Sequence, residues 1–138
     1  MNDQKVEYLL IGGALAIAYG VPRLTKDVDI FLNPTIENAT RCLDALRACG
    51  FGTVELTTPQ DLCKTEVTIF KDIVRLDVLT RVKGIVFDAA WRNKVFLALR
   101  GVHIPAISID DLIKTKEAAA RPGDIEDIKI LQMVPQGK

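Results

Sequence analysis

Asp27 and Asp29 stand two residues apart in an apolar run, with Val28, Ile30, Phe31 and Leu32 around them. Residues i and i+2 of a β-strand point to the same face. The spacing therefore predicts two carboxylates side by side on a stiff element, with Val28 and Ile30 turned to the core. Like charges that close repel, and burying them unpaired is costly. A divalent cation relieves both problems, and Mg²⁺ takes carboxylate oxygens together with substrate phosphates. Upstream, Gly12-Gly13 ends the apolar segment Tyr8-Leu9-Leu10-Ile11 and opens a short apolar helix over residues 14–19, with a spacer of 13 residues between Gly13 and Asp27. Glycines leading into a helix N-terminus offer backbone N–H groups and a positive dipole end to an anion. A phosphate site and a metal site in one short segment read as phosphoryl or nucleotidyl transfer.

Each of these residues also has a plainer reading. Asp27 and Asp29 on a solvent-facing strand edge would pair with Lys26 or Arg23. Against that, Asp is disfavoured in strands, so two on one face need a reason. Gly12-Gly13 alone is a tight turn with close packing. The G-x-G-x-x-G and G-K-[ST] phosphate fingerprints are absent. A site of this kind wants a third carboxylate from a neighbouring strand, and Asp77 is the best candidate, in mid-strand with Arg75 and Leu79 on its side. Its alternative is an exposed Asp paired with Arg75 or Arg81. Asp72 reads as a turn residue and Asp88 as a helix cap. Arg23, in the loop between the glycines and the aspartates, has the planar fork to clamp a triphosphate, or is a surface residue; Thr25 beside it reads as structural.

The string Leu10-Ile11-Gly12-Gly13-Ala14, Tyr19-Gly20, Arg23, Thr25, Asp27-Val28-Asp29-Ile30 resembles the small nucleotidyltransferases related to AbiEii toxins, within the DNA polymerase β superfamily in its minimal form. Lys116, Arg121, Asp124 and Asp127 reproduce that group's Lys-x4-Arg-x2-Asp-x2-Asp element, so the resemblance touches most of the chain. Many relatives carry Gly-Ser where this chain has Gly-Gly, which loses a hydroxyl contact to phosphate and keeps the backbone donors. The resemblance implies that Asp77 helps hold the metal that activates the attacking hydroxyl. It also implies that Lys116 and Asp127 approach the nucleotide, with Arg121 and Asp124 supporting them. On helix geometry alone, Asp124 is an N-cap and Arg121 a C-terminal dipole partner.

The elements that must position these residues follow from pattern and punctuation. Residues 6–11 read as a short buried strand or a helix end, residues 14–19 as a helix closed by Gly20, and residues 27–32 as a strand. Asn33-Pro34-Thr35 is a turn with cap residues. Residues 36–49 form an amphipathic helix with Ile36, Ala39, Leu43 and Leu46 on its inner stripe, stopped by Gly50. Residues 67–70 and 74–79 are two strands joined by a tight hairpin at Lys71-Asp72. Residues 87–97 mix helix and strand signals, and residues 102–107 read as a short strand. Ser108 caps a helix running through Ala120, with Asp111 three residues on. Pro122-Gly123 punctuates, and Asp124 opens a last helix with Ile125, Ile128, Leu131 and Val134 inward. The expected architecture is α+β (α/β): one domain, residues 1–138, with a mixed β-sheet and helices packed on one side. The resemblance implies the same, a nucleotidyltransferase-like fold.

The 138 residues carry 18 basic and 18 acidic side chains, so no global basic field holds nucleic acid. A local excess of cations at Lys64, Lys71, Arg75, Arg81, Lys83, Arg92, Lys94 and Arg100 is either a mixed solvated surface or an acceptor-binding patch. No apolar run reaches the roughly 20 residues of a membrane span, and the N-terminus lacks a secretory pattern. Cys42, Cys49 and Cys63 contain no CxxC pair and read as small buried or half-buried thiols. A cytoplasmic location is expected. His103, the only histidine, reads as an ordinary strand residue.

The expected activity is a metal-dependent nucleotidyltransferase. Two Mg²⁺ (or Mn²⁺) ions on Asp27, Asp29 and Asp77 would align an acceptor hydroxyl with the α-phosphate of an NTP, and Gly12, Gly13, Arg23, Lys116 and Asp127 would bind the nucleotide. The acceptor class is RNA such as tRNA, a protein or a small molecule. Its relatives include toxins of toxin–antitoxin pairs, which makes an antitoxin an expected partner. The alternative is a catalytically quiet nucleotide- or partner-binding module that kept the fold. A metal-dependent phosphohydrolase lacks the histidine constellation it would need.

Overall fold

A computed structural model describes residues 5–21, 27–71, 75–99 and 101–133. Its strands are β1 (Tyr8–Ile11), β2 (Asp27–Leu32), β3 (Val67–Lys71), β4 (Arg75–Leu79), β5 (Val95–Leu99) and β6 (Val102–Ala106). They form one mixed sheet in the order β3-β4-β2-β1-β6-β5. β2 runs parallel to β4 and β1 parallel to β6, and the remaining neighbours are antiparallel. The helices are α1 (Gly12–Ala18), α2 (Ile36–Ala48), α3 (Pro59–Lys64), α4 (Phe87–Arg92), α5 (Ile109–Ala119) and α6 (Asp124–Gln132), with a 3₁₀ turn at Gly52–Leu56. This is the expected mixed sheet flanked by helices.

The helices are not confined to one side. Ile30 and Leu32 point to one face of β2, where they meet Ala39, Leu43 and Leu46 of α2, Leu62 of α3, and Phe70 and Val78 of the neighbouring strands. Phe31 points to the other face, into a second core with Leu15 and Ala16 of α1, Phe87 of α4, Leu112 of α5 and Leu131 of α6. All four residues of β1 are buried. Fully burying a side chain such as Ile30, Phe31 or Leu32 is worth about 1.5–3 kcal/mol. That anchorage offsets the poor strand preference of the two aspartates at the start of β2.

Local signals fix the joints that hold the functional face. α1 ends in a Schellman motif: the Gly20 amide donates to the Ile17 carbonyl and the Val21 amide to the Ala16 carbonyl, both at 3.0 Å. Gly20 takes the left-handed φ of +111° that this ending requires. The Tyr19 hydroxyl then donates to the Ile107 carbonyl at 2.9 Å, tying α1 to the segment entering α5. Thr35 caps α2 by accepting from the Asn38 amide, and Ser108 caps α5 by accepting from the Asp111 amide. Buried Asn38 accepts from the Glu7 amide and donates to the Glu7 and Asn33 carbonyls, joining the entry to β1 with the exit from β2.

Several expectations are corrected. Ile36 is exposed, and the inner face of α2 is carried by Asn38, Ala39, Cys42, Leu43, Ala45 and Leu46. Ile125 is exposed, and α6 turns Asp124, Asp127 and Leu131 inward. Lys71 is the last residue of β3 and pairs with Arg75, the first of β4, so Lys71 is not a turn residue; Asp72 and Val74 lie outside the described residues. Val134 lies outside them too. The segment 87–97 resolves into α4 and the start of β5, with Val86 rather than Asp88 at the N-cap. Cys42 is buried and Cys63 half-buried, but Cys49 is exposed. Among the described residues no helix is long and apolar enough to cross a membrane.

Candidate functional site

The pairing of β1, β2 and β4 lays the chemistry out in rows. Across β2 and β4, Asp27 faces Arg75, Asp29 faces Asp77 and Phe31 faces Leu79; across β1 and β2, Ile11 faces Asp29. Alternation puts Asp27, Asp29 and Phe31 on one face with Arg75, Asp77 and Leu79. The structure thus brings the three predicted carboxylates onto one face, Asp29 beside Asp77 and Asp27 one row away.

Their electrostatics are unequal. Burial pushes the Asp29 carboxyl up to about 6. Repulsion from Asp77 and Asp27 and a hydrogen bond shared with Asp77 push the same way, and Arg75 only partly opposes them. Asp77 is bonded to Arg75 through both oxygens: Nε reaches Oδ1 at 2.8 Å and Nη2 reaches Oδ2 at 3.2 Å. The same Nε lies 3.9 Å from Oδ2 of Asp27. Those contacts hold the Arg75 guanidinium more firmly protonated. The donor set, hard carboxylate oxygens with an ionisation penalty on Asp29, fits a divalent cation. Yet among the described residues no three His, Cys, Asp or Glu side chains stand as a ready-made metal cage. Arg75 meanwhile engages both oxygens of Asp77.

α1 begins at Gly12, two residues earlier than expected, so both glycines belong to its first turn. No side chain caps this end and no acidic residue occupies the first turn. The amides of Gly12 and Gly13 are therefore among the N–H groups without an intrahelical acceptor. Gly12 has a left-handed φ of +75°, and a Cβ there would collide with the Asp29 carboxylate. The helix start and the carboxylate row are thus pressed together by the register of Ile11 on Asp29. Arg23 and Thr25 lie outside the described residues.

The C-terminal group forms a buried cluster of its own. The Lys116 ammonium, from α5, sits 3.0 Å from Oδ2 of Asp127 and 3.5 Å from Oδ1 of Asp124, both from α6. All three side chains are almost fully buried. Asp124 is the first residue of α6, not its cap, and accepts from the Arg121 amide at 3.0 Å. Burial pushes the Asp124 carboxyl up, but bonds from Arg121 and the charges of Arg121 and Lys116 outweigh it and hold the carboxyl below its usual value. Lys116 thus reaches from α5 to two carboxylates of α6.

The cations singled out in sequence have different neighbours, and Arg100 lies outside the described residues. Arg75 turns to the carboxylates, and Lys94 lies over the Trp91 ring at 4.2 Å. Arg81 and Lys83 line a cavity of about 600 Å³ with Phe31, Val82, Ile85, Phe87 and Asp88. That cavity lies by the C-terminal ends of β2 and β4, beyond Phe31 and Leu79, away from the carboxylate row. His103 is exposed on β6.

The whole sequence, residues 1–138, matches the family described as "Nucleotidyl transferase of unknown function (DUF2204)". The chain belongs to that family. Among solved structures, this DUF2204 member is similar to an antigenic nucleotidyltransferase-like protein from Paracoccidioides brasiliensis, at 16% identity and a TM-score of 0.61, covering 94% of this chain and 69% of that one. At that identity the likeness shows the fold. A search of curated protein sequences gave no match.

In this DUF2204 chain one structural tie escapes sequence reasoning, and one residue of the carboxylate face is only half legible. Asn38 looks like any polar residue of a helix first turn, and only the path of Glu7 and Asn33 reveals its use. Arg75 is legible as a partner of Asp77. Its reach toward Asp27 depends on β4 lying parallel beside β2, a non-local pairing.

Proposed function

We propose that this chain is a metal-dependent nucleotidyltransferase that moves a nucleoside monophosphate from an NTP to an acceptor hydroxyl. Family and fold support the class. The observation that carries the reading is the shared row of Asp29 and Asp77 with Asp27 on the same face, pressed against the start of α1 through Gly12. Asp27, Asp29 and Asp77 would hold divalent ions, Mg²⁺ or Mn²⁺, which when bound offset phosphate charge and acidify the acceptor hydroxyl. The chain's own share is positioning and charge. The first-turn amides of Gly12 and Gly13 donate to phosphate, and Arg23 is the triphosphate clamp that the sequence offers. The Lys116–Asp127 pin fixes α5 and α6 behind the second core. Tyr19, bonded to the Ile107 carbonyl, ties α1 to the same region.

The acceptor is an RNA such as tRNA, a protein or a small molecule, and the resemblance to AbiEii-like proteins supports a toxin role with an antitoxin partner and a cytoplasmic location. The deciding experiment incubates the protein with each labelled NTP, Mg²⁺ or Mn²⁺, and separate cellular RNA, protein and metabolite fractions. Label in one fraction, lost in the Asp29→Asn variant, is the expected result. One observation favours a second reading, a quiet nucleotide- or partner-binding module: Arg75 already neutralises part of the carboxylate cluster. Nucleotide binding without transfer to any fraction selects it.

A further inference from the structure

We propose that Arg75 is an internal counter-ion that closes the carboxylate cluster and makes divalent-cation binding conditional on the nucleotide. The inference rests on the metal-dependent reading above. Arg75 faces Asp27 across the β2–β4 pair and precedes Asp77 by two residues on its own strand, so its side chain emerges on the carboxylate face. Its planar fork takes both oxygens of Asp77 and its Nε stands 3.9 Å from Asp27. A guanidinium there does two things to an arriving dication. It removes the Asp77 oxygens from the available donors, and it adds a like charge beside the position the ion would take.

The lock is built to open. Arg75 is 39% exposed, and an ion pair that accessible is weak in water, so the guanidinium is not trapped as a buried charge would be. A dication alone gains the carboxylates but faces the guanidinium. A dication with a triphosphate changes the balance, because phosphate oxygens supply ligands to the ion and a bidentate acceptor for the displaced fork. Nucleotide and metal then strengthen each other reciprocally. A structural salt bridge at the same place would give the opposite sign: its loss would loosen the strands and weaken metal binding.

The test uses the full chain and Mn²⁺ followed by electron paramagnetic resonance, without nucleotide and with a non-hydrolysable analogue of each NTP in turn. In Arg75→Gln, Mn²⁺ alone should bind about tenfold tighter or more than in wild type, within the usual range of site-to-site coupling. The further tightening conferred by the nucleotide analogue should shrink by a similar factor. Arg75→Lys, which keeps the charge without the fork, should fall between the two and serves as the probe if Arg75→Gln fails to fold. Unchanged or weaker Mn²⁺ binding in both variants, alongside nucleotide-dependent Mn²⁺ binding in wild type, overturns the lock and leaves the metal-dependent reading standing. Absence of Mn²⁺ binding in all three proteins, with and without every analogue, overturns both.

Discussion

Gly12 packs against the carboxylate of Asp29, so closely that no side chain fits between them. The contact follows from the pairing of Ile11 with Asp29, which delivers the first residue of α1 to the carboxylate row. Gly12→Ala should therefore cost stability twice, through the left-handed φ and through the collision. The first cost is about 1 kcal/mol; the second adds about as much if the carboxylate must shift. Pairing Gly12→Ala with Asp29→Ala should recover the collision part and leave the backbone part. Urea unfolding of the four proteins in a double-mutant cycle measures both. Additive losses would mean that the two residues do not touch in solution.

Asp29 should make the metal-free protein less stable as pH rises. Its folded-state value of about 6 lies above the ordinary carboxyl value of 3.8, so the folded chain holds this proton more tightly than the unfolded chain does. Stability contributed by the group is full below about pH 4, declines as pH rises toward 6, and stays low above that. A shift of about two units would convert to about 3 kcal/mol. Asp29 is only partly buried, and solvent screening reduces the expected effect to about 1 kcal/mol. In EDTA at pH 7.5, Asp29→Asn should melt about 3 °C higher than wild type. The advantage should vanish near pH 4. An Asp29→Asn protein that melts lower at pH 7.5 would contradict the assignment.

The sequence made β2 legible to the residue, because two aspartates alternating with Val28, Ile30 and Leu32 admit one period only. Thr35 and Ser108 marked the starts of α2 and α5 for an equally local reason, a hydroxyl placed three residues before an amide in need of an acceptor. α3 and the 3₁₀ turn before it left a weaker trace, since such short pieces are held by tertiary packing of Val54 and Leu62, both fully buried. The inner face of α6 was read correctly at Leu131 and misread at Ile125. Lys116, arriving from α5, makes Asp124 and Asp127 the inward residues and rotates Ile125 to solvent. In the candidate site, the shared face of Asp27 and Asp29 could be read from their spacing. The alignment of Asp77 with Asp29 could not, because β4 inserts between β2 and β3 and sequence spacing does not encode that order.

Lys116 should behave as a structural pin. Removing it in Lys116→Met takes a buried cation away from Asp124 and Asp127, and breaking a buried pair in this way costs about 3–5 kcal/mol. Lys116→Met combined with Asp127→Leu should recover a large part of the loss, since an apolar pair of similar volume is often neutral. Guanidinium unfolding of the single and double variants gives both values. If Lys116→Met melts like wild type but loses nucleotide affinity, the ammonium serves the nucleotide directly, as the family resemblance implies.

Asp77 separates an enzyme from a binding module. It shares the row of Asp29 from β4, which flanks β2 on the edge opposite β1. In the proposed reading Asp27 and Asp29, nearest the helix start, do most of the work of holding the nucleotide-bound metal. Asp77→Asn should then leave nucleotide affinity nearly unchanged and reduce transfer by about a thousandfold, on the order of 4 kcal/mol of lost transition-state stabilisation. A purely structural Asp77 predicts another pattern. The half-exposed bond to Arg75 is weak in water, so the variant would melt slightly lower and transfer would persist. Measuring labelled-nucleotide transfer, analogue binding and melting on the same preparation distinguishes the two. Transfer within twofold of wild type would remove Asp77 from the reacting centre and leave Asp27 and Asp29 to seek their third ligand elsewhere.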